Sequence, residues 1–160
     1  MALGKDSDME NSVSTDIKNS CLYLLTRREH SQKELLTKLV AKGFKSADIA
    51  PVIAELAAQG WQSDTRYAES YTRHRLKQGY GELAIAYELK QNGITGFDIE
   101  SILFDVTESW LSLIEQVYQK KYPDNKNLSL SERAKRSRFL LQRGFSSTLI
   151  QQLFNSFKNN

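Results

Sequence analysis

Along this chain, apolar residues fall at three- and four-residue spacings almost everywhere, and only Pro51 and Pro123 interrupt the pattern. That period marks one face of an α-helix, whereas strands alternate every second residue, so an all-α chain is expected. Three segments superimpose when aligned on a glycine: ELLTKLVAKGFKSADIAPVIAEL, AIAYELKQNGITGFDIESILFDV and RAKRSRFLLQRGFSSTLIQQLFNSF. Gly43, Gly93 and Gly144 recur at intervals of 50 and 51 residues, each followed by Phe44, Ile94 or Phe145 and preceded four positions earlier by Leu39, Leu89 or Leu140. Beyond each glycine, Ile49, Ile99 and Ile150 begin an apolar stripe. It continues through Ile53, Leu103 and Phe154 to Leu56, Val106 and Phe157, the spacing of one buried helix face. A period of this length is the signature of a structural repeat.

Local signals split each repeat into three helices. The glycine ends the middle helix, because a left-handed residue there costs little without a Cβ. Ser31-x-x-Glu34 and Ser129-x-x-Glu132 fit capping boxes that open middle helices. Asp48 and Asp98 are expected to cap the helices that follow, which would set Pro51 at a third helical position where no backbone bond is lost. First helices are expected near residues 16–29, 64–78 and 107–121, with Asp64 as an N-cap. The repeats would then span 16–60, 61–106 and 107–160 behind a flexible, solvated tail at 1–15. The polar run KYPDNKNLSL, around Pro123, is the expected hinge.

Composition narrows the class only modestly. The 22 Lys and Arg against 19 Asp and Glu give a formal charge of +3, so any anionic partner must be read from where charge sits. A lone Cys21 inside an apolar run excludes a disulfide framework and fits a reducing compartment, with the thiol packed as a small hydrophobe. No segment reads as a secretory leader or reaches bilayer-spanning length, so a soluble cytoplasmic protein without a membrane partner is expected.

QGYGELA, residues 78–84, fits G-x-G-x-x-A, but a dinucleotide site needs a buried strand before the first glycine. DTRYAESYTRHRLKQ is helical in pattern, so Gly79 is read as ending one helix and Gly81 as beginning the next, with Tyr80 between. The same helix aligns Arg66, Arg73 and Lys77 on one face, flanked by His74 and Arg75. Tyr67 and Tyr71 form a neighbouring aromatic strip, which would pack inward or stack on a partner. Two readings stay open for the cations: a phosphate-binding face, or a solvated one over a core contact.

Charge separates further on. Residues 91–119 carry Asp98, Glu100, Asp105, Glu108 and Glu115 without a lysine or arginine. Residues 120–143 reverse the sign with Lys120, Lys121, Lys126, Arg133, Lys135, Arg136, Arg138 and Arg143 against Asp124 and Glu132. Arg136 occupies the repeat position held by Leu35 and Ile85, where a core residue belongs. Catalysis finds no motif: two histidines and one cysteine cannot make a usual zinc set, His30 is expected at the surface, and no H-E-x-x-H, G-x-S-x-G or Walker loop appears. Neither an enzyme nor a cofactor is expected.

The stretches LLTRREHSQKELLTKLVAKGF and LAAQGWQSDTRYAESYTRHRLKQGYGELAIAYELKQNGI resemble the RecX family of bacterial recombinase regulators. The resemblance runs through Arg28, Ser31, Glu34, Leu35, Leu39, Gly43, Asp64, Arg66, Ala68, Arg75, Gly79, Gly81, Leu89 and Gly93; the last third is similar mainly in its repeat arrangement. It implies tandem three-helix repeats in an elongated, curved right-handed or solenoid-like body. It also implies a non-enzymatic modulator that binds RecA and RecA–single-stranded-DNA filaments and suppresses recombinase, ATPase and coprotease activity. Direct DNA binding, and a stand-alone nucleic-acid-binding role without RecA, remain the alternatives. On charge placement, the expected partner-binding residues are Arg66, Arg73, Arg75, Lys77, Lys135, Arg136, Arg138 and Arg143, with Tyr67, Tyr71 and Tyr80 as aromatic contacts.

Overall fold

The computed structural model of the chain describes residues 3–158. Among them only helices occur: α1 Leu3–Arg27, α2 Gln32–Ala41, α3 Ser46–Ala58, α4 Asp64–Lys77, α5 Glu82–Gln91, α6 Glu100–Val106, α7 Trp110–Lys121, α8 Leu130–Gln142 and α9 Ser147–Lys158. They fall into three successive trios, as the repeat predicts.

The repeat glycines end α2, α5 and α8 with φ of +102°, +82° and +92° at Gly43, Gly93 and Gly144. At the first and third the closure is a two-bond cap. Phe44 N–H donates to the Leu39 carbonyl at 3.2 Å and Gly43 N–H to that of Val40 at 3.0 Å; Phe145 and Gly144 repeat this with Leu140 and Leu141. The repeated leucine thus has two tasks: its side chain is fully buried at Leu39 and Leu140, and its carbonyl accepts the amide of the apolar residue past the glycine.

Several local expectations shift. Helix α1 begins at Leu3 rather than near 16, so most of the expected tail is helix; the side chains of residues 8–16 are all exposed. Once Ile17 and Cys21 are buried, extending the helix adds one backbone bond per residue, and no proline stands in the way. Met1 and Ala2 lie outside the described residues. Helix α3 starts at Ser46 with Lys45 as cap and no side-chain cap bond, so Asp48 sits inside the first turn and Pro51 lies within the helix, where it forgoes one backbone bond. Asp98, by contrast, precedes the cap of its helix, Ile99, and serves through its carbonyl, which accepts from Ser101 N–H and from its hydroxyl at 2.6 Å. Ser31 and Glu34 complete their capping box. Ser129 caps α8 by accepting from Glu132 N–H at 3.1 Å, but the Glu132 carboxylate turns to Arg136.

The chain divides into two compact units, Met1–Ala68 with Asn92–Ile94 and Glu69–Gln91 with Thr95–Asn160, so the second repeat contributes to both. The first unit closes on Ile17, Cys21, Leu35, Leu39, Ile49, Val52, Ile53 and Leu56. Each such aliphatic side chain contributes about 1.5–3 kcal/mol on full burial. In the second unit α9 buries Ile150, Leu153 and Phe154, and Tyr118 on α7 is packed among Tyr122, Phe154 and Phe157 at ring distances of 5.2–5.8 Å. The expected hinge loop is tied to the helices: Arg136 donates to the Asp124 carbonyl at 2.8 Å and the Tyr118 hydroxyl to Asn125 Oδ1 at 2.7 Å.

Candidate functional site

The signature residues of the resemblance gather first at a junction in the first unit, where the α1–α2 turn meets the start of α4. Helix α2 opens with unpaired amides. Ser31 caps one of them, and the amide of Gln32 donates to Asp64 Oδ1 at 2.9 Å. Asp64 therefore caps α2 rather than its own helix, where Ser63 Oγ accepts from Arg66 N–H at 3.2 Å. Gln62 Nε2 bonds Asp64 and the His30 carbonyl. Arg28 grips Glu34 with both guanidinium nitrogens, at 2.8 and 3.2 Å. Burial would raise the Glu34 carboxyl, but hydrogen bonds from Arg28 and the Ser31 amide outweigh it and hold the carboxyl below its usual range. Arg66, expected on a partner-binding face, donates to Glu29 at 3.0 Å and to the Gly60 carbonyl at 2.8 Å.

His30 is buried within this junction, not on the surface. Its Nδ1 lies 3.0 Å from the Arg28 carbonyl and its Nε2 3.1 Å from Lys38 Nζ. A lysine only donates, so Nε2 accepts and Nδ1 carries the proton toward the carbonyl. Burial, with the charges of Arg28 and Lys38, pushes the imidazole below its ordinary value.

In the second unit the expected cations part company. Arg75 donates to both carboxylate oxygens of Glu88, at 3.0 and 2.5 Å, and lies 3.5 Å over the Tyr80 ring. Those bonds to Glu88 hold its pKa above the ordinary arginine value. Arg136 is an interior residue: it is 8% exposed and bonds Glu132, the Tyr118 hydroxyl and the Asp124 carbonyl. The repeat register is therefore obeyed, with an arginine in the place of a core aliphatic. Arg73 makes an exposed pair with Asp105 at 3.3 Å. Tyr71 donates to Glu88 at 2.8 Å. Tyr67, in the first unit, is buried and accepts from Asn92 at 2.9 Å. Tyr71 is half-buried.

Lys77 and Arg143 are brought together. They line a groove of about 550 Å³ with Lys120 and Lys121, over a floor of Leu76, Val106, Leu113, Val117 and Phe139; Gln78 and Gln116 supply amides, and no carboxylate is among its lining residues. Arg143 is positioned by donating to the Gln78 carbonyl at 2.9 Å and by lying 4.8 Å over Tyr80, while Lys121 sits 5.3 Å over Phe139. Lys77, Lys120 and Lys121 make no ion pair among the described residues. Lys135 and Arg138 are exposed on α8 but do not line the groove. Charge placement alone did not single out Lys120 and Lys121, which line the groove. The available signal was their position on α7, one turn beyond Val117 and two beyond Leu113, at the edge of a buried face.

Burial first, then the charge of Glu100, push the Glu82 carboxyl up. Burial pushes the Cys21 thiol up to about 11, which leaves it protonated and inert. Among the described residues no group of histidine, cysteine and carboxylates is placed to hold a metal, and no helix is long and apolar enough to cross a membrane.

These features define a class: a helical repeat protein with a cation-lined groove in its second unit. Three family models, described as the first, second and third three-helix domains of RecX, match residues 18–56, 63–103 and 108–154. The chain belongs to the RecX family. It is 41% identical over 142 residues to the regulatory protein RecX of Legionella pneumophila (strain Corby), covering 89% of this chain and 95% of that one. The regulatory protein RecX of Pseudomonas entomophila (strain L48) is 36% identical over 139 residues, or 87% and 90% of the two chains. The crystal structure of RecX from Lactobacillus salivarius superimposes with a TM-score of 0.70 at 22% identity, over 94% of this chain and 99% of that one, which speaks to the fold. The relatives are regulatory proteins by name, and the family is not a known enzyme family.

Proposed function

We propose that this protein regulates the RecA recombinase: it binds RecA and RecA–single-stranded-DNA filaments in the cytoplasm and inhibits recombinase, ATPase and coprotease activity. Membership of a family of regulatory proteins carries this reading. The second unit supplies the surface. Lys77, Lys120, Lys121 and Arg143 in the groove, with Lys135 and Arg138 nearby in sequence, meet anionic filament groups, either DNA phosphates or acidic side chains. Arg66, Arg75 and Arg136 act at one remove, by holding the helices. Opposite charge on the two sides steers encounter and fixes register more than it adds affinity.

The groove also favours a second reading, a nucleic-acid-binding repeat protein that acts without RecA. One experiment separates them: ATP hydrolysis by RecA on single-stranded DNA, titrated with the purified protein. The RecA reading expects inhibition at substoichiometric amounts. Inhibition only when the protein saturates the DNA supports the second reading, and no inhibition at any amount removes the first.

A further inference from the structure

The groove of the second unit has a composition that phosphate binding alone does not explain. A phosphodiester needs cations and hydrogen-bond donors, and it keeps its water where it can. Here the cations stand around an apolar lining in which Leu76 and Leu113 are buried and Val106, Val117 and Phe139 keep partly exposed surface, which offers an anion nothing. Such a floor gains only by taking apolar or π surface out of water. The partner therefore carries a flat or apolar group and a negative charge in the same short unit.

The groove is also structurally enforced. A Cβ on Gly79 would lie 2.8 Å from Val117 Cγ2, so the α4–α5 turn is pressed against α7 along its wall. Arg143 reaches across to the Gln78 carbonyl beside that turn. The amides of Gln78 and Gln116 stand at the lining, where they suit the polar edge of a base without demanding one base over another. Arg75 already takes the Gln78 side-chain oxygen at 2.9 Å, which leaves its NH₂ to donate.

Resting on the reading that this groove meets the filament's DNA, we propose that it seats an unstacked base of a single-stranded nucleic acid on the partly exposed Val106, Val117 and Phe139, with the adjoining phosphates on Lys77, Lys120 and Lys121. Single-strand binders combine a cationic track with apolar or aromatic seats in this way, and duplex bases, whose faces are already stacked, cannot use such a seat. An acidic peptide satisfies the cations too, but carboxylates next to an aliphatic floor leave the seat to whichever side chain happens to adjoin them.

The test uses the full chain without RecA and measures fluorescence anisotropy with a labelled oligothymidylate, an abasic strand of equal length and a duplex, across a salt series. The oligothymidylate is expected to bind about tenfold more tightly than the abasic strand, the loss of one well-seated base, and more tightly than the duplex. Phe139→Leu, which takes the ring out of the lining and keeps an apolar side chain there, should weaken oligothymidylate and narrow its margin over the abasic strand. Lys120→Ala with Lys121→Ala should weaken both strands and flatten the salt dependence. Equal affinity for the oligothymidylate and abasic strands overturns the base seat, as does equal binding of the duplex or displacement by a glutamate-rich peptide at matching concentration. RecA inhibition is measured in parallel. Inhibition without base preference defeats this inference alone, and base preference without inhibition defeats only the RecA reading.

Discussion

Gly81 and Gly144 touch backbone to backbone: a Cβ on Gly81 would lie 2.5 Å from the Gly144 carbonyl oxygen, and Gly81 N–H donates to the neighbouring Arg143 carbonyl at 2.7 Å. Leu83 N–H completes the seam by donating to Gly144 O at 3.0 Å. The second glycine of QGYGELA is thus explained by close packing of the α4–α5 turn on the α8–α9 turn, with no nucleotide involved.

This seam predicts an order of damage. Gly81→Ala meets main-chain atoms that cannot rotate away and should cost roughly 1–3 kcal/mol or more. Gly144→Ala should cost more still, since it adds positive-φ strain to contact with Ala84 N at 2.5 Å. Gly43→Ala, with φ +102° and nothing within 4 Å, should cost strain alone, about 1–2 kcal/mol. Urea unfolding of the three variants checks the ranking; equal losses would show that the seam does not constrain the fold.

Asp64→Ala should destabilise the protein by about 1–2 kcal/mol, because the first amide of α2 and Gln62 both lose their acceptor. Arg73→Ala, which removes an exposed ion pair, should change stability by less than about 1 kcal/mol. Thermal unfolding of the two variants distinguishes them.

Arg136→Ala should cost about 1.5–3 kcal/mol through lost charged hydrogen bonds to Tyr118 and Asp124. Arg136→Leu, which restores the aliphatic residue of the other two repeats, should lose less. In both, RecA inhibition should follow the folded fraction. A folded Arg136→Leu protein that no longer inhibits would mean that this guanidinium meets the partner after all.

His30 makes stability depend on mild acid. Its folded pKa lies below the unfolded value of 6.5, so the unfolded chain binds the proton first. The contribution is fully present above pH 6.5 and is lost as pH falls through the folded value. Glu34, whose carboxyl is also lowered, contributes its loss below its ordinary 4.5, a separate window. Stability measured between pH 7 and 5 should fall for the parent and stay flatter for His30→Asn. Parallel curves would refute the buried, neutral imidazole.

The repeat was readable because burial and helix closure select the same residues: Leu39 and Leu140 are at once core side chains and cap acceptors, so a period of leucine and glycine encodes both. Partners distant in sequence were not readable. Asp64 looks like the cap of its own helix, and nothing local says that its carboxylate serves Gln32, thirty-two positions away. His30 sits in a polar turn that another turn covers. For the site, Lys77 and Arg143 were found from charge, but charge alone does not separate Arg75 and Arg136, whose carboxylate and hydroxyl partners lie on other helices, from cations left facing a groove. The residues that carry the family resemblance, Arg28, Ser31, Glu34, Asp64, Arg66, Arg75 and Gly81, all build the scaffold in this structure. They identify the fold and say little of the contact surface.

Under the proposed function, the groove of the second unit is where this protein meets the RecA filament. The most direct measurement is RecA ATPase inhibition by a Lys77→Ala, Lys120→Ala, Lys121→Ala variant whose fold is verified by its unfolding curve. Half-inhibition is expected to need at least about tenfold more of this variant, given the loss of several exposed phosphate or carboxylate contacts, while Lys135→Ala with Arg138→Ala shifts it less. Undiminished inhibition by the folded triple variant would contradict the account.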